Sequence, residues 1–447
     1  MKDSAKTFLA ISLSLCAVWV SAQTSQASAP SKSEEWTTTD PESVGMSGKP
    51  LRDMEDAIRA GQFKKIGSVL VARGGKVVYE GYFDGDASTL RDTRSATKSI
   101  TSALVGIAIA DKKLSGVNAR VLELLPERAR KMQNPDLRKD KITVEDFLTM
   151  SSPLECDDWN DASRGNEERM YVIEDWAQFI LDLPVRGRMH VGENAEPPKY
   201  GRNFSYCTGG VFVLSEVLQK ATGLRTDRYA QEKLFGPLRI TDAQWVYSPL
   251  NIPQTGGGLR LSSRDLLKIA ELYRKGGVWQ GSRVLDDAWV KVSTQPHAQI
   301  DDQTEYGYLW WLKTFKSGGK DRPAYYMSGN GGNKVAVFPA LDIAVVITST
   351  NFNTRGMHEQ TDKLLTDYIL AAVQYRRQES TAPSSCRGGR LVRPASAASV
   401  LEGWLGWRHL AATGSSRSAA EIRSIRFFLR YSRLNGSSPL SPRENPC

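Results

Sequence analysis

A chain of 447 residues, 40% hydrophobic and 24% charged, has the balance of a globular protein, which excludes collagen, coiled coil and wholesale disorder. Its 59 Lys and Arg against 50 Asp and Glu leave a formal +9, an excess that invites a nucleic-acid or membrane partner. The distribution withdraws the invitation. Residues 380–447 hold ten Arg against Glu402, Glu421 and Glu444, residues 1–22 carry +1, and residues 23–379 are left at +1.

Residues 1–22 read as an export signal: Lys2 and Lys6, the apolar stretch Phe8 to Val20, then Val20-Ser21-Ala22 before Gln23. The stretch is too short to span a bilayer, and no other segment reaches the roughly 18 apolar residues a spanning helix needs. A periplasmic or secreted protein without a stable membrane anchor is expected. Leu15 before Cys16 disfavours a lipoprotein signal. Four further cysteines remain, Cys156, Cys207, Cys386 and Cys447, and without a CxxC pair they do not form a structural zinc cluster. In an oxidising compartment Cys156 and Cys207 either pair or stay as buried thiols.

Residues 23–36 are a Ser/Thr/Gln-rich lead-in. Ser68 to Arg73, the Gly74-Gly75 turn and Val77 to Tyr82 read as a hairpin. Ile100, Leu104, Ile107 and Ala108 at helical spacing predict a helix from about Ser95 to Asp111, and Val211, Leu214, Val217 and Leu218 predict another before Gly223. Leu266 to Tyr273 and the segment after Glu359 look helical as well. Lys334 to Phe338 and Ile343 to Ser349 read as strands around Pro339 to Asp342. Strands near both ends of a helical middle predict one sheet assembled from the two chain halves and flanked by helices, over residues 37–378. Residues 379–447, Arg- and Ser-rich with one marginal helix at Ile422 to Tyr431, read as a disordered extension without a nucleic-acid role.

The histidines His190, His297, His358 and His409 make no HExxH, and neither a Gly-x-Ser-x-Gly elbow nor a GxxxxGK[ST] loop occurs. Two Ser-x-x-Lys matches exist. Ser317 to Lys320 lies in a glycine-rich polar loop, whereas Ser95 to Lys98 opens an apolar-striped helix, where residues three apart share a face. A serine needs a neighbouring base to act as nucleophile, and a lysine held in a desolvated site beside other cations has a pKa low enough to serve. Tyr206 in Phe204-Ser205-Tyr206-Cys207-Thr208 precedes a helix, where cationic neighbours would favour its phenolate. Ser328-Gly329-Asn330-Gly331-Gly332-Asn333 is a turn whose glycines let backbone approach a ligand closely. The loop Glu155-Cys156-Asp157-Asp158-Trp159 is acidic.

The order Ser95-x-x-Lys98, Tyr206-Cys207-Thr208 and a glycine-rich turn before a late strand resembles the serine β-lactamase and penicillin-binding protein superfamily. The class C side, with its esterases and 6-aminohexanoate-dimer hydrolase-like amidases, is the more similar, and the likeness runs over roughly residues 37–375. Arg94 to Ala110, Gly256 to Asp265 and Pro339 to Val346 carry it too. The resemblance implies an α/β, β-lactamase/transpeptidase-like fold with a largely antiparallel sheet. It implies a serine hydrolase without metal or organic cofactor, acting on small esters or amides. Ser95 would be the acylated nucleophile, Lys98 its proton partner and Tyr206 the general acid/base, with backbone N–H groups of Ser95 and Asn330 as oxyanion hole. Thr208, Asp157, Asp158, Ser328 and Gly329 are candidate substrate-binding residues. Thr208 stands where the family often has Asn, and the third motif has no lysine, which disfavours efficient β-lactam hydrolysis. The same resemblance admits a D-alanyl-D-alanine carboxypeptidase, a weak β-lactamase or a non-catalytic peptidoglycan or peptide sensor. Nothing in the sequence specifies an oligomeric state.

Overall fold

The computed structural model describes residues 36–187 and 197–374. The described residues all fall within one compact unit. The leader, the lead-in up to residue 35, the whole extension with its marginal helix, and His190, His409, Cys16, Cys386 and Cys447 lie outside the described residues.

The N-terminal hairpin is β1 (Ile66–Arg73) and β2 (Lys76–Tyr82). Gly74 and Gly75 turn it with φ of 61° and 80°, the two left-handed residues that a tight hairpin of matching twist requires. β3 (Leu90–Asp92), β4 (Gln244–Trp245) and β5 (Leu259–Ser262) form a small sheet in the order β3-β5-β4, and β6 (Val278–Trp279) and β7 (Ser282–Arg283) a two-stranded ribbon. β8 (Ala298–Gln299), β9 (Thr304–Tyr306), β10 (Trp311–Ser317), β11 (Lys320–Gly329), β12 (Asn333–Phe338) and β13 (Ile343–Ser349) complete an eight-stranded sheet, β2-β1-β13-β12-β11-β10-β9-β8, with its neighbours antiparallel.

Leu70 opposite Val346 marks the junction of the two chain halves. Period-two alternation gives the sheet two buried faces. Leu70, Ala72, Val335, Val337, Ala344 and Val346 pack into the larger core, with residues of the helices Thr97–Ala110, Thr208–Thr222 and Ser263–Arg274. Val69, Val71, Ala336, Phe338, Val345 and Ile347 pack into a second core with residues of the helix Gly48–Arg59 and the segment Leu364–Ile369.

Two expectations differ from what is observed. Ser317 to Lys320, read as a loop, is the turn of the β10–β11 hairpin, with Gly318 and Gly319 at φ of 56° and 71°. Lys313, Lys316, Lys320, Asp321 and Arg322 make these strands too polar to announce themselves as core strands. Ser317 and Lys320 therefore face each other across a ladder rather than along a helix. The helix expected from Ser95 begins instead at Thr97, after a short 3-10 turn at Arg94–Ala96, and every residue from Thr97 to Ala108 is buried.

Candidate active site

Ser95 sits at the junction of β3 with the helix Thr97–Ala110. The Arg94 N–H donates to Asp92 Oδ1 (3.1 Å), and Arg94 has a φ of 49°, a left-handed conformation that costs a non-glycine residue about 1 kcal/mol or more. Its guanidinium lies over the Phe352 ring, 4.3 Å from the centroid, and pairs with Asp92 (3.1 Å). These contacts hold the bend that delivers a half-buried Ser95 at the start of a helix, where first-turn N–H groups have no intrahelical partner.

Lys98, 1% exposed, donates to Ser95 Oγ (3.0 Å), Thr208 Oγ1 (3.0 Å) and the Gly256 carbonyl. Burial pulls its pKa down to about 8, while the Glu167 and Asp158 carboxylates oppose the fall. The lowering thus comes from desolvation, and the charged neighbours expected as cations are carboxylates.

Tyr206 reaches the site because its segment is fastened on both sides. Cys156 and Cys207 form a disulfide with Cα atoms 5.4 Å apart. Ser205 Oγ donates to the Cys156 carbonyl (2.7 Å), and the Asp158 N–H to the Tyr206 carbonyl (2.8 Å). The Tyr206 ring centroid lies 4.9 Å from Lys98 Nζ. Burial raises the Tyr206 pKa well above that of a free phenol, a hydrogen bond with Ser95 works against this, and Glu167 and Asp158 add to it. The expected phenolate is therefore replaced by a neutral phenol, because no cation outweighs the lost hydration.

Asp158 accepts from the Thr208 N–H at Oδ2 (2.6 Å) and from the Glu167 N–H at Oδ1 (2.9 Å). Both oxygens are engaged by backbone, so Asp158 braces the start of the Thr208–Thr222 helix instead of presenting a free carboxylate to a substrate. Burial, then Glu167, raises its pKa to about 7. Asp157 accepts from the Trp159 N–H (2.9 Å) and shapes the loop.

The third segment closes over Ser95. A Cβ on Gly329 would stand 2.2 Å from the Thr93 carbonyl and 3.3 Å from the Ala96 nitrogen, so only glycine lets β11 come this near. Asn333 Nδ2 donates to the carbonyls of Asp92 (3.2 Å) and Asn330 (2.9 Å), and Asn330 Nδ2 donates to Asn353 Oδ1 (2.6 Å). These bonds tie the Asn330 turn to the strand that precedes Ser95. Ser328 pairs with Lys334 in the ladder, so its side chain takes that residue's face of the sheet, while Met327, paired with Val335, takes the face of the larger core.

The structure thus brings together Ser95, Lys98, Tyr206, Thr208, Asp158, Gly329 and Asn330, while Asp157 shapes the acidic loop and Ser328 lies on the face of β11 opposite Met327. Asp92, Phe352 and Gln254 carry no motif that would single them out in sequence, and Arg94 and Asn333 lie in the segments singled out there without a role of their own. Gln254 Oε1 accepts from the Gly256 N–H (2.9 Å) and so supports the carbonyl that receives Lys98. Positive φ at an arginine leaves no mark in sequence. A cavity of about 520 Å³ lined by Lys199, Asp301, Glu305, Leu312 and Tyr325 includes none of the site residues.

Taken together, these groups are the ones that nucleophilic-serine chemistry requires, on a helix packed against an antiparallel sheet. The profile of the beta-lactamase family matches residues 54–368, and the chain belongs to that family, within the serine β-lactamase and penicillin-binding protein superfamily of hydrolases. It is 25% identical over 327 residues to the 6-aminohexanoate-dimer hydrolase of Paenarthrobacter ureafaciens, covering 68% of this chain and 77% of that one. Among solved structures, EstCE1, a hydrolase with promiscuous acyltransferase activity, aligns with a TM-score of 0.54 at 16% identity, over 73% of this chain and 99% of its own. A penicillin-binding protein from Bacillus halodurans aligns with a TM-score of 0.52 at 15% identity, over 70% and 99%.

Proposed function

We propose that the protein is an exported serine hydrolase that forms an acyl-enzyme on Ser95 and cleaves small esters or amides. The observation that carries this reading is the Lys98 ammonium 3.0 Å from Ser95 Oγ, in a site dry enough to bring its pKa to about 8. As free amine, Lys98 takes the Ser95 proton while Oγ bonds to the substrate carbonyl carbon. The N–H groups of Ser95 and Asn330 receive the oxyanion. The neutral Tyr206 phenol passes a proton to the departing oxygen or nitrogen and is reprotonated from Lys98. Water, deprotonated by the same pair, then attacks the acyl carbon and releases the acid, restoring Ser95.

The relative named for the 6-aminohexanoate dimer supports an amide as substrate, and an ester is the less demanding acyl compound for the same acyl-enzyme step. The absence of a lysine from Met327-Ser328-Gly329 argues against efficient β-lactam hydrolysis. Export is supported by the leader-like N-terminus and by the Cys156–Cys207 bridge, which suits an oxidising compartment.

The test sets the mature protein against nitrophenyl esters, short amides and a chromogenic cephalosporin, with fluorophosphonate labelling located by mass spectrometry. Labelling at Ser95 and loss of turnover in Ser95→Ala by about 10³-fold or more are expected. Turnover that persists in Ser95→Ala sinks the mechanism, and preference for the cephalosporin overturns the substrate class.

A further inference from the structure

Trp159 is 56% exposed, yet its surroundings are built to hold it still. Its N–H donates to Asp157 Oδ1 (2.9 Å). The preceding residue, Asp158, is fixed through both carboxylate oxygens, and Cys156 is tied to Cys207. The indole stacks on the Tyr206 ring, with centroids 5.3 Å apart and planes 5° from parallel. Phe204 and Trp311 flank it at 5.6 Å and 6.3 Å. A lone exposed tryptophan is ordinary on a protein surface. One clamped in place, continuing the ring of the residue proposed to move the proton, with more than half of its surface open, offers a substrate an aromatic platform.

A second apolar rim is tied to the site through Gln254. Tyr171 and Val246 are 39% and 48% exposed. The Tyr171 hydroxyl accepts from Gln254 Nε2 (3.4 Å), and the Gln254 N–H donates to the Val246 carbonyl (2.8 Å). Gln254 is also the residue that holds Gly256, whose carbonyl receives Lys98. Both rims are therefore bonded to the elements that position Ser95 and Lys98.

We propose that the open face of Trp159 is the floor of a leaving-group subsite and determines specificity for substrates whose departing alcohol or amine carries an aryl or benzyl group. The inference rests on Ser95 acting as nucleophile. Tyr206 hands its proton to the leaving atom, so that atom lies within hydrogen-bond reach of the phenol. The substituent beyond it extends over the ring system that runs from Tyr206 to Trp159, and the acyl portion, held by the oxyanion turn, points the other way. In the step concerned, Ser95 Oγ bonds to the carbonyl carbon, the bond to the departing oxygen or nitrogen breaks, and the Ser95 proton leaves on that atom by way of Lys98 and Tyr206.

Acetate esters that differ only in the alcohol separate the steps, because they share one acetyl-enzyme and one deacylation. Acetate release from benzyl acetate and ethyl acetate is followed by pH-stat, each kcat/KM being divided by the rate constant for hydroxide hydrolysis. The wild type is expected to prefer the benzyl ester by about tenfold or more, the discrimination a few buried methylene equivalents support. Trp159→Ala should lower that ratio by about tenfold, whatever it does to ethyl acetate, and Trp159→Phe should keep most of it. An unchanged ratio in Trp159→Ala overturns the proposal. So does a wild type without preference, or Trp159-dependent selectivity that appears only when the acyl chain is lengthened to ethyl octanoate. Failure of the serine-hydrolase reading looks different: no ester releases acetate and no fluorophosphonate labels Ser95.

Discussion

Lys98 carries the main electrostatic conflict in the molecule. Burial pushes its pKa down to about 8, and Glu167 and Asp158 push back. If the free amine is the base, kcat/KM should rise with pH through an acid limb near that value. Asp158→Asn removes one opposing carboxylate while keeping an acceptor for the Thr208 N–H, so the limb should move to lower pH. A pH-rate profile that does not move assigns the limb to another group. Stability follows the same shift. Between about pH 8 and the ordinary lysine value of 10.5 the unfolded chain binds more protons than the native one, so stability rises with pH across that window, and below it the buried charge costs the most. Lys98→Met should therefore lose turnover, and its stability in urea unfolding should no longer rise with pH across that window. The sequence marked Lys98 through its spacing from Ser95, but the sign of its neighbours was hidden, because Glu167 and Asp158 reach it only through the folded loop.

At the scale of elements, β11 and the 154–166 loop decide the site. Gly329→Ala forces a Cβ against the Thr93 carbonyl, 2.2 Å away, and backbone on both sides leaves no room to yield. A loss of about 1–3 kcal/mol in urea unfolding is expected. A fall in kcat of about 10²-fold is expected too, since the strand that leads into Asn330, the proposed oxyanion donor, is displaced. The Cys156–Cys207 bridge closes a 51-residue separation, for which chain entropy gives roughly 4 kcal/mol as an upper figure. A Cys156→Ser, Cys207→Ser double variant should lose about 2–4 kcal/mol and lower kcat through Tyr206, with equal melting temperatures in reductant and in air. Wild type that melts identically with and without reductant contradicts this. The N-terminal hairpin and the strands around Pro339 to Asp342 were legible because runs of apolar residues, such as Val69 to Ala72 and Ile343 to Ile347, fill both faces of the sheet. β10 and β11 were not, since lysines and arginines along them break the pattern that marks a buried strand.

For the whole molecule, the eight-stranded sheet joins β1 and β2 from one end of the chain to β13 from the other, and the helix bearing Lys98, with Ser95 at its mouth, lies in the core that the sheet covers. The catalytic unit is proposed to end near residue 378, and removal of residues 379–447 should leave kcat/KM for the preferred ester unchanged while lowering the net positive charge. A truncated chain that folds but is inactive moves that boundary.

The sequence by itself determined the helix that bears Lys98, the order of the three motifs and the near-neutral charge of the body, because each is written in local spacing or composition. Only the tertiary structure decided that Asp158 braces a helix instead of greeting a substrate, that Tyr206 stays a phenol, that Arg94 bends the chain at a positive φ, and that Trp159 lies on Tyr206. These depend on desolvation and on contacts between segments about 50 to 260 residues apart, and such distances in sequence leave no periodicity to read.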